Sequence, residues 1–266
     1  MRRLLGATVL TAVLATAAAT PASAVSNGTL DGDGHPMVGL MSAHDKDGEH
    51  LWRCSGTLIA PTIFLTAGHC VEPPATHVEI WFDADVEHGV PQNGYPEEGD
   101  VGGEPFLHPD YEPDTFWLHD LGVVVLDEPV RLADYGRLPE LDQLDRFAKK
   151  RLRDRAWFTA VGYGAQRAFP TAAEWKDQDD KVRMVAYPKL IQINTGFTGP
   201  DSLVLSNNKR TGGTCFGDSG GPDFLRDSLV IAGVTSFGQS WYCGGTGGVY
   251  RIDRADDLDW LATFLD

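Results

Sequence analysis

The chain has 266 residues and a formal net charge of −16 at pH 7, enough for one large domain or two small ones. With 42% hydrophobic and 10% aromatic residues it is not a disordered polymer, which would lack rings to bury. A surface this negative repels phosphate, which excludes a nucleic acid or an anionic membrane as partner.

Residues 1–24 read as a cleaved leader. Arg2 and Arg3 precede an apolar run from Leu4 to Ala19, and Ala22-Ser23-Ala24 supplies the small residues that a signal peptidase accepts. The run is short for a membrane-spanning helix. The mature chain is then expected to begin at Val25 and to be secreted and extracellular, with no membrane association after cleavage. Export sets the reading of Cys54, Cys70, Cys215 and Cys243: an even number in an oxidising compartment implies disulfides. Four cysteines allow three pairings, of which the sequence-local one closes two short loops. The chain holds no Cys-x-x-Cys pair, which argues against a zinc ribbon or a redox motif.

The mature chain reads mainly as strands. Runs at 51–59, 63–66, 77–82, 121–126, 156–161, 184–193, 202–205, 228–234 and 248–252 are short, apolar or alternating, and bounded by Gly, Pro, Asn and Asp. An acidic, Pro/Gly-rich stretch from Asp83 to Asp114 reads as a loop. Two helices are predicted, one over 141–155 and one in the last segment, where Leu258, Leu261 and Leu265 form a stripe after Asp256 and Asp257. The fold class is all-β, a sandwich or barrel with a C-terminal helix.

Gly217-Asp218-Ser219-Gly220-Gly221-Pro222 carries the chemistry. Glycines around a serine let the backbone turn sharply and bring its amides close to a reacting carbonyl. The same letters fit the G-x-S-x-G elbow of α/β hydrolases, but that fold needs a histidine after the serine. All eight histidines precede Ser219. The base must therefore come from upstream. Thr66-Ala67-Gly68-His69-Cys70 sets His69 beside a half-cystine at a strand end. Leu118-His119-Asp120-Leu121 sets Asp120 at the head of the most apolar strand, where a carboxylate can orient an imidazole.

The segments SGTLIAPTIFLTAGHC, HDLGVVVL, FTAVGYG, CFGDSGGP, GVTSFG and GGVYRI, in this order and spacing, resemble the chymotrypsin/trypsin family of serine endopeptidases over essentially the whole mature chain. The resemblance implies two six-stranded antiparallel β-barrels, one over 25–130 carrying His69 and Asp120 and one over 131–252 carrying Ser219, with the C-terminal helix in 253–266. It also implies the cysteine pairs Cys54–Cys70 and Cys215–Cys243. Ser219 is the implied nucleophile, His69 the base and Asp120 its orienter, with the backbone N–H groups of Gly217 and Ser219 as oxyanion hole. No cofactor is implied, the partners are protein or peptide substrates, and the enzyme is expected to be a monomer.

The family's substrate pocket maps to Gly213, Thr214, Ser236, Phe237, Gly238 and Gly248. Gly213 stands where trypsin-like members carry an aspartate, so a Lys or Arg side chain would lose its hydration without a partner. Glycines at 238 and 248 are expected to leave the slot open to bulky apolar or aromatic side chains, although Asp223 or Asp227 could reach it from neighbouring segments. The family's activation pairing, a new aliphatic N-terminus with the aspartate before the nucleophile, maps to Val25 and Asp218. Ser26 departs from the family's second aliphatic residue.

Other features read more plainly. Arg146, Lys149, Lys150, Arg151, Arg153 and Arg155 form a solvated basic face. The resemblance would allow the acids between Asp83 and Glu104 to bind calcium, but without a fixed ligand spacing they read as solvated carboxylates; no His-Glu-x-x-His occurs, so no catalytic metal is expected and none is assigned. Two competing functions use the same fold, a catalytically silent binding or adhesion protein and an esterase.

Overall fold

The computed structural model describes residues 24–166, 179–240 and 243–265. The leader, apart from Ala24, lies outside the described residues, among which no helix is long and apolar enough to cross a membrane. Fourteen strands are described: β1 (Thr29–Leu30), β2 (Val38–His44), β3 (His50–Ala60), β4 (Ile63–Thr66), β5 (His77–Trp81), β6 (Val101–Leu107), β7 (Gly122–Leu126), β8 (Phe158–Gly162), β9 (Met184–Ala186), β10 (Leu190–Thr195), β11 (Gly199–Asn207), β12 (Pro222–Leu225), β13 (Ile231–Gly238) and β14 (Gly245–Arg251). All their ladders are antiparallel.

The first body is a closed six-stranded barrel in the order β2-β3-β4-β7-β6-β5. Leu40, Leu58, Phe64, Leu65, Val78, Ile80 and Val123 are fully buried in its core, each such burial contributing about 1.5–3 kcal/mol. The second body is a curled eight-stranded sheet in the order β1-β9-β8-β12-β13-β14-β11-β10. The mostly-β class with a C-terminal helix is as read from the sequence. The second body differs in detail, being an eight-stranded sheet that does not close.

Three local expectations give way. β1, inside the segment assigned to the first barrel, pairs instead with β9 of the second sheet, Thr29 opposite Val185. The 184–193 run is two strands, because Tyr187 and Pro188 turn aside to bond Thr211 and Phe158. The 141–155 helix is a one-turn 3-10 helix, Asp145–Ala148, and a four-residue helix, Lys150–Arg153, divided at an extended Lys149. Only Leu144 and Phe147 anchor that stretch in the core, and its cations three and four residues apart repel one another along a helix.

The C-terminal helix, Ala255–Ala262, follows the second sheet yet packs on the first barrel. Leu261 is buried, Trp260 and Phe264 cover the barrel core, and the Phe264 ring meets Phe106 edge-on at 5.5 Å. The buried stripe is Asp257, Trp260, Leu261 and Phe264. Leu265, expected on it, is 41% exposed.

Candidate active site

His69 rides on a one-turn 3-10 helix, Gly68–Cys70, just after β4, and Asp120 stands two residues before β7. β4 and β7 are neighbours with Thr66 opposite Gly122, so the two residues leave the same end of the sheet. The Cys54–Cys70 disulfide ties the His69 turn to β3, and the second bridge is Cys215–Cys243. Each closes the local loop that the resemblance implied, a constraint typically worth about 2–4 kcal/mol.

Asp120 is fully buried. Its Oδ1 accepts the His69 backbone N–H at 2.9 Å, its Oδ2 lies 2.9 Å from His69 Nδ1, and the Ser236 hydroxyl donates to Oδ2. The three donors fix the carboxylate plane. With Nδ1–H facing Asp120, Nε2 is the basic nitrogen of the neutral ring. Burial works against protonation of His69, but the charge and hydrogen bond of Asp120 outweigh it, and the imidazole stands above its usual pKa.

Ser219 occupies a turn that only glycines permit. Gly217 and Gly220 have φ of +95° and +77°, a region L side chains avoid. A Cβ on Gly220 would also lie 2.0 Å from Thr66 Oγ1 and 2.5 Å from Ser55 O. The turn is pinned from both bodies: Ser55 N–H donates to Ser219 O at 2.8 Å, and Gly220 N–H to Thr235 O at 2.8 Å.

The amides flanking the serine are set by their peptide planes. Phe216 O accepts Ala165 N–H at 2.8 Å, and Asp218 O accepts Gly221 N–H at 2.8 Å. In a trans peptide N–H points opposite to C=O, so the Gly217 and Ser219 N–H groups face the other way. Neither donates to a partner among the described residues. Ser55 Oγ further holds Gly217 O at 2.8 Å.

His69 and Ser219 line one cavity of about 540 Å³. Phe116, Phe216, Phe237, the Cys215–Cys243 bridge, Thr214, Thr235, Ser236 and Gly238 also line it. The Phe116 ring stands edge-on to His69 at 5.9 Å. Among the described residues no acidic side chain lines it.

Of the expected pocket residues, Thr214, Ser236, Phe237 and Gly238 reach the cavity. Gly213 does not: its N–H bonds Ser26 O at 3.1 Å and its Cα lies against the Asn207 side chain. Gly248 does not leave the slot open either, because the Phe237 ring lies over it, where a Cβ would be 2.3 Å from the ring. Asp223 is fully buried behind Thr235, whose hydroxyl donates to its Oδ2 at 3.1 Å, and Asp227 lies on the exposed turn beyond β12.

Sequence reasoning missed the Ser236–Asp120 bond and the Ser55 contacts. Both cross between the two bodies, and no local pattern announces them.

Val25 is fully buried beside Met184 and Ala186, and Ser26 forms a β-bridge with Gly213. Asp218 is fully buried, its carboxylate accepting Gly164 N–H and Cys215 N–H, each at 2.8 Å. Burial pushes it up to about 7 against those bonds. Among the described residues no hydrogen bond joins it to Val25.

A model of the trypsin family matches residues 31–260. The chain is 26% identical to Serine protease 1 of Drosophila melanogaster over 227 residues, which are 85% of this chain and 78% of that protein. It is 26% identical to ovochymase of Halocynthia roretzi over 219 residues, 78% of this chain but only 13% of that far longer protein. The solved structure of HL collagenase superposes with a TM-score of 0.68 at 24% identity, covering 90% of this chain and 98% of that one, a likeness of fold. The class is thus that of a chymotrypsin-like serine protease fold. The chain belongs to the trypsin family, and both its fold and the names of its relatives support a serine-type peptidase activity.

Proposed function

We propose that the chain is a secreted serine endopeptidase that cleaves after bulky apolar or aromatic residues, through an acyl-enzyme on Ser219. The reading is carried by one observation: an imidazole held by a buried carboxylate through Nδ1 shares a cavity with a serine whose flanking amides face away from their own carbonyl partners.

Ser219 Oγ attacks the scissile carbonyl carbon as His69 Nε2 takes its proton. The carbonyl oxygen becomes an oxyanion that accepts the Gly217 and Ser219 N–H groups, a donor pair of which losing one member costs roughly 2.7–4 kcal/mol. The C–N bond then breaks and the leaving amine takes the proton from His69. Water adds to the acyl-enzyme by the same route, its proton passing through His69 back to Ser219 Oγ as the acid departs. Asp120 keeps the imidazole oriented and balances its transient charge.

Phenylalanine rings and hydroxyls line the cavity and, among the described residues, no acid does, which supports an apolar side chain before the cut. A lysine or arginine there would be desolvated without a counter-charge, a penalty of several kcal/mol. Secretion rests on the leader-like segment and agrees with the two disulfides. The test is kcat/KM on matched peptides with Phe or Arg before the scissile bond. Phe is expected to win by at least about a hundredfold; preference for Arg would overturn the pocket reading.

A further inference from the structure

A second cluster of titratable side chains lies behind Asp120, away from the cavity. His108, just after β6, is 2% exposed, and its Nε2 has no hydrogen-bond partner. His119, immediately before Asp120, also has a buried nitrogen, Nδ1, without a partner. The rings stack at 5.1 Å with planes 9° apart. Facing them is the start of the C-terminal helix: Asp257 Oδ1 lies 3.8 Å from His108 Nε2, and Asp256 Oδ2 lies 3.7 Å from His119 Nδ1.

Those two separations are too long for hydrogen bonds. They are close to the ligand–ligand edge of a tetrahedral zinc site, about 3.4 Å for bonds of about 2.1 Å. One ligand atom each from His108, His119 and Asp257 falls within 4.8 Å of the others, so the set must contract by up to about 1.4 Å to enclose an ion. Tyr250 donates to both Asp257 oxygens at 3.0 and 3.1 Å and orients that carboxylate, the supporting role second-layer hydrogen bonds play at metal centres. Asp256 is half exposed and supplies an entrance.

We propose that His108, His119, Asp257 and Asp256 bind a zinc-like divalent transition metal. The ion is structural, tying the loop that carries Asp120 to the C-terminal helix. Two orphaned imidazole nitrogens facing two carboxylates are a borderline-soft donor set, suited to zinc and poorly suited to calcium or magnesium. Loading requires two local changes. The proton on His108 Nε2 leaves and Nδ1 becomes the protonated nitrogen, so the 3.2 Å bond from Asp110 N–H to Nδ1 opens. The rings also unstack so that their lone pairs converge, and partly exposed His119 is the one free to turn. His119 already holds φ of +50°, an uncommon conformation for a non-glycine residue.

The test uses the chain beginning at Val25 with Ser219→Ala, so that self-digestion cannot intervene and binding is read independently of activity. After chelation and dialysis, calorimetric titration with zinc chloride is expected to show one equivalent bound, with a raised Tm. Cobalt(II) chloride is expected to give the intense visible bands of tetrahedral coordination. His108→Gln and Asp256→Asn should each weaken zinc binding by at least about tenfold. Should His108→Gln fail to fold, His119→Asn, at the partly exposed ligand, reads the same loss. Uptake below a tenth of an equivalent, or undiminished uptake in folded variants, would overturn the site while leaving the peptidase reading untouched.

Discussion

Asp218 makes the strongest energetic prediction. Its carboxyl is fully buried, no cation among the described residues is hydrogen-bonded to it, and it stands at about 7 against an ordinary 3.8. A group raised in the folded state favours folding most below its unfolded pKa. As pH climbs from about 4 to about 7 the unfolded chain releases this proton first, and stability falls. Roughly three pKa units at 1.36 kcal/mol each make that loss about 4 kcal/mol. An ammonium at Val25, created by cleavage after Ala24, would keep Asp218 ionised and remove most of it. Asp223 is likewise pushed up to about 8, by burial and by Asp218, but it is present in both chains and its effect largely cancels in a comparison. Urea unfolding of chains beginning at Ala24 and at Val25, both carrying Ser219→Ala, should show equal stability near pH 4. By pH 7.5 the Val25 chain should be several kcal/mol more stable, and Asp218→Asn should flatten the pH dependence of the Ala24 chain. Identical pH slopes in the two chains would refute the pairing.

Other outcomes follow from single contacts. Ser236→Ala removes a hydroxyl bonded to the Asp120 carboxylate; a hydrogen bond to a charged group is worth about 1.5–3 kcal/mol, so kcat should fall about ten- to a hundredfold in steady-state assays. Because Asp120 raises the His69 pKa and only the neutral ring is a base, kcat/KM should rise with pH through a midpoint above 6.5, which a pH–rate profile reads directly. Gly220→Ala forces a methyl group to within 2.0 Å of Thr66 Oγ1 at φ of +77°; with strain of at least about 1–3 kcal/mol, calorimetry should show Tm lowered by at least about 3 °C.

Strands with branched or alternating cores, such as β4, β5 and β7, were legible in the sequence because one face or both had to be apolar. β6 was hidden inside the acidic segment because Gly102, Gly103 and Pro105 imitate a turn. Packing requires the glycine: a Cβ on Gly103 would sit 2.7 Å from Val124 Cγ1 and from Val125 O. β2, with Gly39 and Ser42, and β12, opening on Pro222-Asp223, were concealed by the same kind of small or polar residue in a buried ladder. The residues around His69, Asp120 and Ser219 were legible because their neighbours, a half-cystine, a strand head and a glycine turn, carry local signals. The Ser236–Asp120 bond joins residues 116 apart in the chain, which no short window contains, and the Phe237 ring over Gly248 follows from the β13–β14 register, which sets the two residues opposite each other. The histidine pair behind Asp120 was invisible for the same reason: its carboxylates arrive from a helix more than 130 residues later in the chain.

Ser219 becomes a nucleophile only through His69. Intact-mass spectrometry of the Val25 chain after exposure to a fluorophosphonate should show a single adduct, mapped by digestion to Ser219. Ser219→Ala should abolish the adduct, and His69→Ala should slow its formation at least about a thousandfold. A folded wild-type chain that gains no adduct, or an adduct that forms as fast without the imidazole, would contradict the account.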